Sequence, residues 1–316
     1  MEAPFFILSC DGGGVRGQAT ISFLLHLEKH MQTIDPDFCI YKKFNMFAGT
    51  SIGAFISMLY ALKRKTSQEI HDMFNNDTYQ TIMDKSVWDK AVGIVQMNPK
   101  YDGNGKTKVI DNYLGNIKFD DTGDKHLIVP TYNITKRTTK IFYSGTCDSD
   151  LLAKDVANAT SAAPCYFPCV QIQYCNEKHE SKTADWFIDG GMVANNPTMC
   201  AISHAYNLLR GTGRKIVVIN VGTGYYNKSI CGERAENYGG IEWLLHDIIG
   251  ISMDQTLVNQ QAGLLLQDHN YVNVNSELID VSDDIDNCSD DNIKKLNALG
   301  ELWWNKYKDE IIPLLV

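Results

Sequence analysis

Phe44-Asn45-Met46-Phe47-Ala48-Gly49-Thr50-Ser51-Ile52-Gly53 is the stretch on which the reading of the fold turns. An apolar run enters a tight turn. Beyond it Ile52, Phe55, Ile56 and Leu59 recur at i, i+3, i+4 and i+7, the spacing of one helix face. The order is strand, turn, helix, with a serine in the turn. Gly49 and Gly53 permit a sharp bend, which pushes the Ser51 hydroxyl outward at the positive end of the helix that follows. This is the mechanics of a nucleophile elbow. A plain strand-to-helix turn has the same outline, and at average glycine and serine usage a chance G-x-S-x-G arises in about one such chain in ten. The remaining sequence has to supply a base and donors for an oxyanion.

Upstream, residues 5–10 are an apolar run that reads as a buried strand, and residues 18–32 read as a helix. Between them lies Asp11-Gly12-Gly13-Gly14-Val15-Arg16-Gly17. Gly12 to Gly17 match G-x-G-x-x-G in the right context for a dinucleotide loop. Three features oppose that use. Asp11 puts a carboxylate where a pyrophosphate would lie, Asp35 stands beside Pro36 rather than at a strand end, and the next strand runs into the serine turn. A phosphate loop of the Walker type is excluded because no Lys-Ser or Lys-Thr follows. No nucleotide cofactor is expected. The other use of such a loop is anion stabilisation: successive glycines at a helix N-terminus present backbone N–H groups. In acyl transfer each such donor is typically worth about 2.7–4 kcal/mol of barrier. Arg16 is either a helper at the same site or a surface arginine.

A Ser-His-acid triad would draw its histidine from His204, His246 or His269. None lies in a Gly-rich or loop-end context, and His204 and His246 fall inside helical patterns. Asp189 ends a short strand, residues 186–188, and is followed by two glycines that let the chain turn and the carboxylate face a cleft. An aspartate with an ordinary pKa near 3.9 is a weak base, so this role needs a desolvated position. The bland alternative is that Asp189 only makes a turn.

Elsewhere, residues 127–134, 138–143 and 271–274 read as strands, and 215–221 (KIVVINV) as a fully buried one. Helices are expected from 67, from 107, over 151–161, from Asn196-Pro197, over 241–266 and over 292–307. In the helix after Pro197 the apolar stripe is Ile202, Ala205, Tyr206 and Leu209. Residues 176–183 and the acidic 280–291 read as solvated loops. Residues 76–106 are irregular and read as satellite packing or as a cap over a cleft. Strands alternate with helices and the most apolar strands lack polar alternation. The expectation is an α/β fold, a mainly parallel sheet covered on both faces, as one domain over residues 1–316.

The chain has 316 residues, 44% of them hydrophobic, and 29 basic against 38 acidic side chains give a net charge of −9. There is no basic tract, so nucleic acid is not an expected partner. Nine cysteines, an odd number with no C-x-x-C, read as reduced thiols of a cytosolic protein, and no metal site is expected. No signal peptide and no transmembrane run is expected.

The blocks ILSCDGGGVRG, FAGTSIGAF, ATSAAPCYFP, DGGMVANNP and INVGTG occur in this order between about residue 6 and residue 224. Together they resemble the patatin-like phospholipase family, most closely its plant patatin branch. The resemblance implies a three-layer α/β/α sandwich and a serine–aspartate dyad. Ser51 would be the nucleophile and Asp189 the general base. The amides of Gly12, Gly13 and Gly14, with Arg16, would form the oxyanion hole. It implies hydrolysis of fatty-acyl esters of lipids at a membrane or micelle surface, without metal or cofactor. The alternatives are a non-catalytic lipid-binding or scaffold protein and a triad esterase.

Overall fold

The computed structural model describes residues 2–84, 98–145, 150–175, 182–226, 229–239, 254–266 and 268–316. The strands are β1 (Phe5–Cys10), β2 (Met46–Gly49), β3 (His126–Asn133), β4 (Thr138–Tyr143), β5 (Val170–Cys175), β6 (Lys182–Ile188), β7 (Ile216–Val221) and β8 (Tyr271–Val274). They form one sheet in the order β5-β6-β3-β2-β1-β7-β8, with β4 also paired to β3. The centre is parallel, through β3/β2, β2/β1, β1/β7 and β7/β8. The flank is antiparallel, through β3/β4, β3/β6 and β5/β6. The mainly parallel expectation describes the centre.

Every residue of β1 and of β7 is buried. This is the pattern of strands covered on both faces, and it is why their sequences lack polar alternation. Before β7 the helices are α1 (Gly17–Ile34), α2 (Ile40–Lys43), α3 (Ile52–Ala61), α4 (Ser67–Met73), α5 (Asn76–Ile82), α6 (Asn104–Leu114), α7 (Ala153–Thr160), α8 (Gly191–Ala194) and α9 (Thr198–Leu208) among the described residues. Phe6, Leu8 and Cys10 of β1 face a large core shared with α1, α3 and the C-terminal helix Asp290–Leu315. Phe5 and Ile7 face a smaller core shared with α9 (Thr198–Leu208) and the helix Thr256–Leu266. The result is helix, sheet, helix in three layers.

Several expectations change in detail. Strand β5 was not foreseen, although Val-Gln-Ile-Gln-Tyr-Cys alternates: Ile172 and Tyr174 are buried while Gln171 and Gln173 are exposed. Its hairpin partner β6 starts at Lys182, so residues 182 and 183 are strand rather than loop. Residues 76–106 contain α5 (Asn76–Ile82) and the start of α6 (Asn104–Leu114), and 85–97, the middle of the expected cap, lie outside the described residues. Of the helix expected over 241–266, residues 241–253 also lie outside, and the described part is Thr256–Leu266. Tyr206 is exposed rather than part of the α9 stripe. The acidic segment 280–291 is more than a solvated loop. The Asp286 side chain is nearly buried, where it accepts a hydrogen bond from Tyr101 at 2.7 Å and pairs with Lys100. The final helix is longer than expected at both ends.

The register explains where a site can form. Cys10 pairs with Gly49 of β2 and with Val221 of β7. The three chains therefore leave the sheet together, at its carboxyl edge, as Asp11-Gly12-Gly13-Gly14, Thr50-Ser51 and Gly222-Thr223. Crevices at the carboxyl ends of parallel strands are where open α/β sheets bind ligands.

Candidate active site

Ser51 stands between β2 and α3 with φ 54° and ψ −121°. A positive φ in a residue with a side chain costs of order 1–3 kcal/mol and persists only where the surroundings impose it. Here they do. A Cβ on Gly49 would run into the backbone carbonyl of Gly53, and one on Gly53 would run into the carbonyl of Cys10. The two glycines let the strand end, the helix start and β1 approach within touching distance, and Ser51 takes up the bend. Its amide donates to Thr160 Oγ1 at 3.2 Å, and that hydroxyl donates in turn to the Pro130 carbonyl at 2.7 Å. Thr50 Oγ1 donates to the Ala194 carbonyl at 2.7 Å, which ties the elbow to the chain beyond Asp189.

Asp189 arrives from the other half of the sheet. Ala48 pairs with Ile128, and three residues further along that register bring Ser51 level with Thr131. On the far side of β3, Ile188 of the antiparallel β6 pairs with Tyr132, so the next residue, Asp189, also lies level with Thr131. The segment after α7 (Ala153–Thr160) fixes the turn. The Asp189 amide donates to the Ala162 carbonyl at 3.0 Å and the Gly190 amide to the Thr160 carbonyl at 3.3 Å. The carboxylate is 6% exposed. Its Oδ1 accepts the Gly191 N–H at 2.7 Å, and the Ser51 hydroxyl lies close enough to favour its charged form. Burial pushes its pKa up to about 6, held back by the Gly191 N–H, the Ser51 hydroxyl and the charge of Lys106. A carboxylate titrating near 6 is a far better proton acceptor at neutral pH than an exposed one.

The glycine loop bends into a short 3-10 turn, Gly14–Arg16, and leads into α1. Its carbonyls and amides are unequally engaged. The Gly12 amide donates to the Asn195 carbonyl at 3.0 Å, the Val15 amide to the Ile285 carbonyl at 2.8 Å and the Arg16 amide to the Gly13 carbonyl at 3.2 Å. Among the bonds described, the amides of Gly13 and Gly14 have no such acceptor. Thr223 Oγ1 donates to the Gly12 carbonyl at 2.8 Å and packs against Gly13, so the INVGTG block orients this loop.

Ser51, Asp189, Gly13 and Gly14 line one cavity of about 1040 Å³, counted with the solvent at its opening. Its walls are Val15, Ile52, Phe55 and Ile110 with Tyr166, Phe167 and Met192, among other apolar groups. Gly12 and Arg16 are not among the lining residues, and Gly49 and Gly53 act on the cavity through the elbow. His204 is on α9 against Tyr143, ring centroids 4.5 Å apart, and His269 is exposed in a short turn. Neither lines the cavity, and His246 lies outside the described residues.

Several residues at this site were not foreseen. Thr160 and Ala162 belong to a block that resembles the family, so their presence was visible but not their work of holding serine and aspartate level. Asn195 stands just before the helix start expected at Asn196-Pro197, with no sequence sign of a role at this site. It lines the cavity, and its carbonyl holds the Gly12 amide. Lys106 sits on α6 in a stretch with no periodicity that could have marked it. Among the described residues no helix is long and apolar enough to cross a membrane, and no disulfide joins the cysteines.

The comparisons with known proteins point the same way as the blocks in the sequence. A family model described as "Patatin-like phospholipase" matches residues 8–202. "Patatin-like protein 2" of Oryza sativa subsp. indica is 27% identical over 340 residues, which cover 95% of this chain and 84% of that protein. "Patatin-like protein 4" of Arabidopsis thaliana is 30% identical over 260 residues, covering 75% of this chain and 62% of that protein. A "cGAMP-activated phospholipase" of Escherichia coli (strain TW11681) is 27% identical over 234 residues, covering 69% of this chain and 61% of that protein.

Proposed function

We propose a mechanism from the premise that this chain belongs to the patatin-like phospholipase family. The family makes it a lipid ester hydrolase. Beyond that, our reading is a phospholipase A or lysophospholipase type of activity carried by a Ser51–Asp189 dyad. The observation that carries it is that Ser51, on its strained elbow, and the buried Asp189 line one apolar cavity together with the Gly13 and Gly14 amides.

The acyl chain lies in the apolar cavity with its ester carbonyl at Ser51. Ser51 Oγ attacks the carbonyl carbon as its proton passes to Asp189. The carbonyl oxygen becomes an oxyanion, which accepts hydrogen bonds from the Gly13 and Gly14 amides, the two not engaged elsewhere. Arg16, at the end of the same turn, adds positive charge behind them. The tetrahedral intermediate collapses, the carbon–oxygen bond to the lysolipid breaks, and the leaving oxygen takes the proton from Asp189. A water then attacks the acyl-serine, giving its proton to Asp189. The fatty acid leaves and the proton returns to Ser51 Oγ. No step requires a metal ion or cofactor. The substrate is reached by contact with a membrane or micelle surface, on the cytosolic side.

The test is fatty-acid release from phosphatidylcholine vesicles, with folding checked by circular dichroism. Ser51→Ala and Asp189→Asn each lose the activity while the fold is kept. Near-wild-type release by either folded variant contradicts the dyad.

A further inference from the structure

Lys106 is a cation placed where a cation is expensive. It is 5% exposed and lines the same cavity as Ser51 and Asp189. A buried ammonium needs either partners for all its protons or a counter-charge, and here it has both. Its Nζ donates to the Asn158 carbonyl at 2.9 Å, the Ser161 carbonyl at 3.0 Å and Ser161 Oγ at 3.1 Å. It also lies 4.8 Å from the centre of the Phe167 ring. The two carbonyls belong to the last turn of α7 and its C-cap, the end of a helix that favours positive charge. The three donors are thereby taken, so Lys106 has none left for a phosphate headgroup. What it still offers is its charge.

The same segment that anchors Lys106 also holds the base. Thr160, Ser161 and Ala162 are consecutive: Ser161 receives the ammonium, while Thr160 and Ala162 receive the Gly190 and Asp189 amides. We propose that Lys106 is a positioning residue of the hydrolytic reaction, a counter-charge held in the same cavity that favours the anionic form of Asp189, ready to take the Ser51 proton. This rests on the dyad reading above.

The electrostatics agree in direction from both sides. Burial pushes Lys106 down to about 7, against the pull of Asp189. Burial pushes Asp189 up to about 6, with Lys106 among the groups that hold it back. Among the described residues, the other hydroxyl groups lining this cavity are Ser51, Tyr79 of α5, whose OH donates to Gln18, Tyr166 beyond α7, and Ser161. Asp155 lies at the first turn of α7, while Lys154 pairs with Asp111 of α6 at 3.3 Å. Lys100 and Tyr101 are engaged with Asp286. Among the described residues, Asp189 is the charged group that acts on Lys106, and Lys106 the one that acts on Asp189.

Removing the ammonium has a defined sign. Asp189 binds its proton more tightly, so the acid limb of kcat/KM moves to higher pH. An opposite charge at close range shifts a carboxylate by about one unit or more. Lys106→Gln, which keeps a hydrogen-bond donor but not the charge, is therefore expected to move the acid limb up by about one unit. Near pH 6 it should be several-fold further below wild type than at pH 8. Lys106→Arg, which keeps the charge, and Ser161→Ala, which removes one acceptor, leave the limb in place. A merely structural lysine would lower melting temperature and plateau rate without moving the limb. A folded Lys106→Gln with an unmoved limb overturns the proposal.

A second measurement does not depend on that variant folding. In protein labelled with 13Cε-lysine, the Lys106 signal, assigned by its loss in Lys106→Arg, is titrated in wild type and in Asp189→Asn. Loss of the anion should lower the Lys106 midpoint, and equal midpoints overturn the pairing. If instead Ser51→Ala retains activity, the dyad itself fails, and the 13C titration still reports on the pair separately.

Discussion

The two reacting groups of the site come from halves of the sheet that are built differently. Ser51 and the glycine loop sit at the ends of β2 and β1, in the parallel centre, two strands whose residues are all buried and which have a parallel neighbour on each side. Asp189 is delivered by β6, a hairpin strand of the antiparallel flank, whose contact with β3 is only two register pairs long. The nucleophile is placed by its own neighbours, through a turn and two glycines. The base is placed from a distance, by Thr160, Ala162 and the register of β3. Local geometry fixes one partner and tertiary packing fixes the other, and the approach of the two side chains depends on both being right.

If the two halves act as one catalytic unit, their losses do not add. Ser51→Ala, Asp189→Asn and the double variant should each lower kcat by about the same factor, roughly 10⁴. A double variant much worse than either single one would separate them. The next effect is on stability and belongs to the parallel centre. Gly53→Ala drives a methyl group into the carbonyl of Cys10 and is expected to cost about 2–4 kcal/mol by denaturant melting. Gly232→Ala, with nothing near its new methyl group, should stay within about 0.5 kcal/mol. A smaller effect probes the link between the halves. Thr160→Val removes the acceptor of the Ser51 amide and the donor to Pro130, and should lower kcat about tenfold with little change in KM. The smallest is His204→Ala, which leaves activity within about twofold because the ring packs on Tyr143 away from the cavity. A loss like that of Asp189→Asn would point to a triad instead.

The same contrast governs what could be read from the chain. The strand-turn-helix around Ser51 was visible because each part has a short-range signature: an apolar run, a Gly-x-Ser-x-Gly turn and a 3.6-residue period. The two all-buried strands β1 and β7 were visible for a similar reason. Asp189 was reached only by comparing contexts, a loop-end carboxylate against helix-face histidines, and by resemblance. Strand β5 alternates, the pattern of a strand half-buried at the antiparallel flank, but it is only six residues long and its burial comes from the hairpin with β6. Lys106 had no local sign at all. Its meaning comes from Asn158 and Ser161, some fifty residues away in the chain, and from burial that only the fold creates. The choice of oxyanion donors was likewise invisible. Three glycines looked equivalent until Asn195 was seen to engage the amide of Gly12.

The central claim is that Ser51 forms an ester with the acyl chain while Asp189 carries the proton. It is tested most directly by incubating the protein with phosphatidylcholine vesicles, quenching in acid within the first turnovers and mapping peptides by mass spectrometry. The account predicts a fatty-acyl mass increment on the peptide bearing Ser51 in wild type, and none in Ser51→Ala or Asp189→Asn. Fatty acid released by wild type with no acyl group on Ser51 at any quench time, together with unimpaired release by Ser51→Ala, would contradict it.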